Sequence, residues 1–530
     1  MDNKELAKLF ENYAVMLTLL NENPFKIRAF ENAAAIIERL DKDWKTLSSD
    51  EWKKIKGIGK GIAEVMKQIN DKKTWKDYEE ITGKIPGGVL EMVDIRGIGT
   101  QTVKKLWKEL GISSPGELLY ACIENRLNNL PGFGPKKQEK IKSAVEFYLK
   151  NKDKTLFATI YPLAESFLEN LQKKYPDEKF AWTGEYRRKC EIIEKLQLLS
   201  TLDSPGEYKG FKINGIELEW IVTQKKHWTY NLFVSSAHRL HIKRIGEINQ
   251  DVNDEATIYL KNNLPYIIPE MREGLKEFDW AEKFTNDQLV DYKDIKGVIH
   301  CHSKYSDGQH TIREMAEKTI SLGFEYLVIT DHSQSAFYAN GLNPERVLLQ
   351  HLEIDDLNKT YENFKIFKGI ESDILPDGSL DYDENILKKF DLVIASVHSK
   401  INMTKQEATK RLIKAIENPY TKILGHPTGR LLLTREGYSL DWPKVLDACR
   451  ANNVAIELNA NPHRLDIDWR LIYDCLEKGL MISINPDAHN IDEIENIQYG
   501  VWVARKGGLV KSHTLNCLTL PQFYHWIKKY

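Results

Sequence analysis

The 530-residue chain contains six cysteines, at positions 122, 190, 301, 449, 475 and 517, and no two of them form a Cys-x-x-Cys pair. That scatter excludes a disulfide framework and a zinc ribbon. No apolar run approaches the roughly 18 residues that a membrane helix needs, and the opening MDNKELAKLF lacks the apolar core of a signal peptide. A cytoplasmic protein without membrane partners is therefore expected. Low-complexity tracts are absent, and the net charge is only −2. No histidine precedes His227, yet nine of the fourteen lie between 300 and 489. With 42% hydrophobic residues, the chain can form three or four domains with real cores.

Most of those histidines end apolar runs. The runs are VIHCH at 298–302, YLVITDH at 326–332, KIFKGIESD at 365–373, LVIASVH at 392–398, KILGH at 422–426, VAIELN at 454–459 and MISINPDAH at 481–489. Continuous aliphatic and β-branched runs read as strands buried on both faces. The segments between them, such as TIREMAEKTISLG and TKQEATKRLIKAI, have helical periodicity. Together they predict a β/α barrel, whose reactive groups gather where the strands end. His300, His302, Asp307, His332, Glu371, His398, His426, Asp487 and His489 would then face one cavity. Such crowding without a cation is costly through desolvation and mutual repulsion. Imidazole and carboxylate with no thiolate suit Mn²⁺, Zn²⁺ or Fe²⁺. Nine groups exceed the needs of one ion, so two or three sharing a bridging carboxylate are expected. Clusters of this kind suit phosphoester hydrolysis, one ion lowering the pKa of a water while others hold the phosphate and leaving oxygen. On ligand type alone, redox or Lewis-acid lyase chemistry stays open. Cys301, between two of these histidines, is read as packing, because strand alternation points it away.

In order, HCHSKYSDG, ITDHS, GIESD, SVHS, LGHP and NPDAH resemble the motif series of the PHP (polymerase and histidinol phosphatase) metalloesterases, over residues 295–530. The resemblance implies three ions. One would be held by His300, His302, Glu371 and Asp487, a second by Glu371, His398 and His426, and a third by Asp307, His332 and His489. It also implies that Asp331 orients a ligand and that Arg464 in NPHRLD binds substrate phosphate, which a guanidinium matches in geometry.

Three copies of an apolar residue before Gly-x-Gly occur early: IKGIGKGIAEVM at 55–66, IRGIGTQTVKKL at 95–106 and LPGFGPKKQEKI at 130–141. Each resembles a helix-hairpin-helix. Gly57 and Gly59, Gly97 and Gly99, and Gly132 and Gly134 would allow a tight turn that presents backbone N–H groups to a phosphate at a helix N-terminus. Lys60, Thr100, Lys104, Lys136 and Lys137 follow on the helices. Across 95–142, nine Lys or Arg oppose four Glu, a local net of +5. Such a patch reads DNA backbone rather than base sequence.

With NPFKIRAFENAAAIIERL at 23–40 and YIIPEMREGLKEFDWA at 266–281, the whole order resembles a bacterial family X DNA polymerase with a C-terminal PHP domain. That resemblance implies a multidomain fold. It begins with an eight-kilodalton-like α-helical domain with a helix-hairpin-helix at 1–85 and a fingers-like helix-hairpin-helix domain at 86–150. An α+β nucleotidyltransferase-like palm at 151–240 and a thumb at 241–290 follow. The PHP domain, a distorted β/α barrel, occupies 291–530. The resemblance also exposes a departure. Family palms carry a Gly-Ser, an Arg-rich stretch, an Asp-x-Asp and a later third Asp, whose carboxylates bind two metals for nucleotidyl transfer. Here TGEYRRKCEIIEKLQLLS puts Gly184-Glu185 at the Gly-Ser and Lys195 and Gln197 at the Asp-x-Asp, and the third position falls on Glu217 in GIELEWIV. A Lys195 ammonium would repel Mg²⁺ and Gln197 offers a neutral oxygen, so a two-metal polymerase site is not expected. The position of the family's Schiff-base lysine for deoxyribose phosphate lyase chemistry reads Val65.

The expected function is a Mn²⁺-dependent (or Zn²⁺- or Fe²⁺-dependent) DNA phosphodiesterase. It would act from 3′ ends at primers, nicks or gaps in DNA repair, as a monomer, with polymerase activity lost. The alternatives are an active gap-filling polymerase with exonuclease, a DNA-binding scaffold with structural metals, and a small-molecule phosphatase.

Overall fold

The structure is a computed structural model that describes residues 1–529 other than 41, 73 and 205. It divides into two compact units, Met1–Lys152 and Asp153–Tyr530.

The first unit is helical. Helices Asn3–Leu19 and Pro24–Glu38 start at side-chain caps, Asp2 in a capping box with Glu5 and Asn23 ahead of Pro24. Such caps satisfy N–H groups that a helix start leaves free. Phe10, Tyr13, Phe30 and Trp75 pack mainly edge-on in the core beneath them. Helices Lys60–Lys72, Thr100–Leu110 and Pro135–Asn151 each begin at a Gly-x-Gly turn.

The second unit opens with β1 (Thr155–Leu156), β2 (Phe180–Trp182), β3 (Ile192–Ile193), β4 (Leu196–Ser200), β5 (Lys212–Ile213) and β6 (Ile216–Val222). β1 pairs with β3, and the other four form a sheet in the order β2-β4-β6-β5. Its central pair, β4 and β6, is parallel. After a helical stretch come β7 (Gly297–Cys301), β8 (Tyr326–Ile329), β9 (Lys365–Asp373), β10 (Leu392–Ser396), β11 (Thr421–Leu424), β12 (Ala455–Asn459) and β13 (Ile482–Asn485). These seven are parallel neighbours in chain order. The barrel nearly closes on itself: the His302 N–H donates to the Ala488 carbonyl at 2.8 Å, and the Ala488 N–H donates to the His300 carbonyl at 3.3 Å. Intervening helices Ile312–Ser321 and Lys405–Ile416 start on Thr-x-x-Glu capping boxes, Thr311 with Glu314 and Thr404 with Glu407. The seven apolar runs thus form the barrel staves and the periodic segments its outer helices.

A buried ionic junction ties the first sheet's arginine-rich turn to the barrel. Lys506, 1% exposed, ends helix Ile497–Lys506 and carries its ammonium to the Glu273 carboxylate and to the carbonyl of Arg188 at 3.1 Å. Arg188 Nε donates to the same Glu273 at 2.9 Å. Burial opposes the Glu273 charge, but Lys506 and Arg188 together pull its carboxyl down to about 2. Among the described residues, no helix is long and apolar enough to cross a membrane.

Candidate metal centre

All seven barrel strands deliver side chains to one mouth at their carboxyl ends. β7 supplies His300 and leads into His302, and His332 follows β8. Glu371 and Asp373 lie on β9, His398 follows β10, and His426 follows β11. Glu457 and Asn459 end β12, and Asp487 and His489 follow β13. The imidazoles form a chain of neighbours: His302 to His489 at 4.2 Å between ring centres, His302 to His332 at 4.5 Å, His332 to His398 at 5.0 Å and His398 to His426 at 5.2 Å.

Glu371 is the hub. Its Oε1 lies 2.9 Å from His426 Nε2, 3.1 Å from His398 Nε2 and 3.3 Å from His300 Nε2, while Oε2 lies 3.0 Å from His332 Nδ1. Asp487 Oδ1 sits 3.2 Å from His302 Nε2 and 3.5 Å from His300 Nε2. At the outer rim, Asp307 Oδ2 is 3.4 Å from His489 Nε2 and 3.5 Å from His332 Nε2. Three groups bring ligand atoms within 4.8 Å of one another: His300, His302 and Asp487; His332, Glu371 and His398; and His302, Asp307, His332 and His489. His302 and His332 each belong to two of these groups. The groups hold eight of the nine expected residues, with His426 joined through Glu371, and they share two histidines between neighbouring groups instead of assigning each to one.

The electrostatics fit cation binding. Burial works against the charges of Glu371, Asp487 and Asp307. Facing imidazoles nevertheless hold all three carboxyls well below the usual carboxylate range. His332 is raised to about 10, and His398 and His489 to about 9; in each case burial opposes the shift and the carboxylates outweigh it. His302 is pushed down to about 3 by burial, then by His489 and His332. Nε2 of His300, Nδ1 of His302, His332 and His426, and Oε2 of Glu371 are buried and make no hydrogen bond. Four of these five atoms lie against facing charged groups, Glu371 Oε2 against His332 Nδ1 among them, without hydrogen-bond geometry, and together the five are a standing desolvation cost that divalent ions would remove. Binding there would displace protons from the imidazoles.

Surrounding residues aim these ligands. Glu457 Oε1 meets His300 Nδ1 at 2.6 Å, and its Oε2 accepts the His426 N–H at 2.6 Å. Asn485 Nδ2 donates to Glu457 at 2.8 Å, and Asn459 Nδ2 donates to Asp487 at 3.0 Å. Asp373 Oδ1 meets His398 Nδ1 at 2.5 Å. A carboxylate on the far ring nitrogen fixes tautomer and orientation. Sequence reasoning does not find Glu457, Asp373, Asn459 or Asn485, because an acid or amide inside a strand carries no periodic signal. Asp331, expected to orient a ligand, accepts from the Ser303 and Ser306 hydroxyls at 2.6 and 2.5 Å and from Gln350 Nε2 at 2.6 Å. It fixes the turn that carries Asp307. Arg464 Nε is 3.6 Å from Asp487 Oδ2, so its guanidinium stands at the metal mouth. His300 and Asp487 hold φ of +66° and +52°, and the pairing of β7 with β8 slips between Val298 and Cys301. Left-handed backbone at non-glycine residues is strained, and such strain gathers at functional sites. Cys301 is fully buried in the barrel core.

The β2-β4-β6-β5 sheet looks different. Lys195 is exposed ahead of β4, and Gln197 Nε2 donates to Glu219 Oε2 at 2.9 Å. The β4–β6 register puts Gln197 opposite Glu219, whereas Glu217 lies opposite Lys212 of β5. Glu217, expected at the third position, and Glu219 share a face of β6 two residues apart, and Glu219 is the one that faces Gln197. Glu185 accepts the N–H groups of Glu194 and Lys195 at 2.7 and 3.1 Å. Gly184, at φ +57°, leaves no room for a Cβ, which would fall 2.2 Å from Gln197 Oε1. Arg187 grips Glu255 with two hydrogen bonds, at 2.7 and 3.1 Å. Among the described residues, no group of three His, Cys, Asp or Glu ligand atoms within 4.8 Å of one another includes a residue of this sheet.

The three Gly-x-Gly turns of the first unit repeat one geometry. Gly57, Gly97 and Gly132 take φ of +100°, +91° and +84°, and the residue between the glycines, Ile58, Ile98 or Phe133, is buried. Gly59, Gly99 and Gly134 precede the helices, and a Cβ at any of them would meet nothing within 4 Å. Their N–H edges therefore stand open to a phosphate at the helix start. Lys60, Lys136 and Lys137 are exposed beside them, and Thr100 and Lys104 are half-buried. Lys137 Nζ lies 3.9 Å over the Phe133 ring. Val65, also half-buried, packs against the core of this unit.

Comparisons with known proteins agree with this layout. Residues 1–75 match the family described as a helix-hairpin-helix domain, residues 89–146 a SAM-like helix-hairpin-helix tandem, and residues 299–461 the PHP domain. The chain is 34% identical over 574 aligned residues to a Bacillus subtilis (strain 168) protein named DNA polymerase/3′-5′ exonuclease PolX, with 100% of both chains covered. Part of it is 30% identical over 239 residues to a probable phosphatase of Thermoanaerobacter sp. (strain X514), covering 42% of this chain and 91% of that one. Another probable phosphatase, from Caldanaerobacter subterraneus subsp. tengcongensis, is 33% identical over 216 residues, covering 37% of this chain and 77% of its own length.

Proposed function

The chain belongs to the PolX family, the bacterial family X polymerases that end in a PHP domain, and on that basis we propose that it is a metal-dependent 3′-5′ DNA exonuclease whose polymerase activity is lost. The observation that carries this reading is the barrel mouth: nine converging His, Asp and Glu side chains with five buried polar atoms that make no hydrogen bond. When bound, Mn²⁺, Zn²⁺ or Fe²⁺ would neutralise phosphate charge and activate water for phosphodiester hydrolysis. Glu371 is the residue placed to bridge. Glu457 and Asp373 hold the His300 and His398 rings in register, and Arg464 is positioned to take a phosphate oxygen. The Gly-x-Gly turns and their lysines hold DNA through its backbone, without regard to sequence.

The loss of polymerisation rests on chemistry at three positions. An ammonium at 195 and an amide at 197, beside Glu217 and Glu219 on the neighbouring strand, do not assemble the carboxylates that two Mg²⁺ ions require. Arg187 and Arg188 are committed to Glu255 and Glu273, which leaves an incoming triphosphate without its usual guanidinium partners. The sheet then serves as a platform, and the role is 3′-end processing in repair.

One experiment tests both parts. A 5′-labelled primer on a gapped template is incubated with Mn²⁺, with and without dNTPs, using wild type, His332→Ala and Glu371→Ala. Shortening by wild type alone, with no lengthening, is the expected result. Lengthening would return the gap-filling polymerase reading, and an intact primer throughout would remove the nuclease reading.

A further inference from the structure

The turn that follows the first ligand of β8 carries two neighbouring aromatic side chains whose placement the metal chemistry does not explain. Phe337 is 89% exposed and Tyr338 72%. They occupy a short helical turn, Phe337–Ala339. Its neighbours Ala336, Ala339 and Leu342 are buried and do the anchoring. The aromatic rings therefore contribute little to the core, and two adjacent exposed aromatics are unfavourable unless something covers them.

The turn is also pinned. The Ser335 N–H donates to Asp381 at 2.7 Å, and its hydroxyl donates to Asp373 at 3.1 Å. The Leu342 N–H returns to the His332 carbonyl at 2.8 Å. Gly341 runs so close that a Cβ there would fall 1.9 Å from the Ser333 carbonyl oxygen. The Tyr338 ring is thereby held 6.2 Å from the ring of His332, at 59° to it. A pinned, exposed aromatic turn with one ring beside His332 and the next aromatic adjoining it in sequence offers faces on which an unstacked base can settle, and every base has a face to offer.

We propose that Phe337 and Tyr338 form a stacking platform for the base of the 3′-terminal nucleotide while its phosphodiester lies over the metal ligands. This rests on the nuclease reading and adds a base-binding subsite to it. The platform is sequence-tolerant and acts through the base alone.

The test pairs the enzyme change with a substrate change. Wild type and the Phe337→Ala/Tyr338→Ala double variant are assayed with Mn²⁺ on an oligonucleotide with an unpaired 3′-terminal thymidine. They are assayed again on the same strand ending in a base-less tetrahydrofuran residue. The double variant is expected to lose roughly 5- to 100-fold in kcat/KM on the thymidine end, the range that stacking one base spans. On the base-less end the wild-type to variant ratio should fall to about 1–2, because wild type loses the same interaction. Tyr338→Phe should keep wild-type behaviour on both ends. Equal losses on both ends would mean that the rings merely shape the site, and no loss on either would leave the rings without this role; both results overturn the platform. Wild type that shortens neither strand would remove the nuclease reading itself, before any variant is compared.

Discussion

The β2-β4-β6-β5 sheet and the barrel mouth lie in one compact unit and both offer acidic and basic side chains on a strand framework, yet they are built to opposite ends. In the barrel, seven strand termini contribute, and Glu371, Asp487 and Asp307 approach imidazoles at 2.9, 3.2 and 3.4 Å. In the sheet, Gln197 and Glu219 satisfy each other, Glu185 is spent on backbone N–H groups, and the two arginines are sealed into ion pairs. The first arrangement crowds buried ligand atoms together; among the described residues, the second contributes to no group of three such atoms. The two frameworks thus differ in a few side chains, and the barrel mouth is set apart by buried polar groups that lack hydrogen bonds.

The largest expected effect bears directly on that demand. Glu371→Gln should lower primer shortening by about 10³-fold or more, since the several kcal/mol of charge stabilisation supplied by bound metal depends on the hub carboxylate. Near-normal digestion by this variant would erase the contrast between the two sites. Lys506→Ala cuts the ionic junction between them and leaves Glu273 buried with one partner fewer. About 3–5 kcal/mol of stability should be lost in urea unfolding, and an unchanged midpoint would mean that the sheet is not structurally coupled to the barrel. Asp373→Asn keeps the shape but weakens the group that aims His398. A drop of about 10–100-fold in Mn²⁺ affinity or activity is expected, read by titrating the metal against digestion rate. Lys195→Asp with Gln197→Asp asks whether side chains alone separate the sites. One further Mn²⁺ should bind, counted by equilibrium dialysis, and an unchanged count would place the difference in the sheet's backbone. The smallest effect concerns DNA retention: Lys136→Ala with Lys137→Ala should reduce the slope of log affinity against log salt by about 2 without altering sequence preference.

Much of the barrel was legible because the two signals it needs are local. A buried parallel strand reads as a continuous apolar run, and a ligand that must sit at the strand's end follows it within a few residues. The same locality made the Gly-x-Gly turns visible, since a left-handed φ favours glycine at Gly57, Gly97 and Gly132. Glu457 and Asp373 stayed hidden because their partners, His300 and His398, lie 157 and 25 residues away. Nothing in the spacing links such pairs. Glu217 and Glu219 were indistinguishable for a related reason: period-two alternation puts both on one face, and strand register, which is non-local, chooses between them.

Information local to the chain was enough to establish which residues can bind cations, that they end buried strands, and that positions 195 and 197 hold a lysine and a glutamine, because composition and periodicity are properties of neighbours in sequence. The folded arrangement was needed to settle which imidazoles share Glu371, which acids aim them, which glutamate faces Gln197, and that Tyr338 stands beside His332 at the lip of the mouth. Those choices depend on how strands pair and close, which brings together groups that the chain keeps far apart.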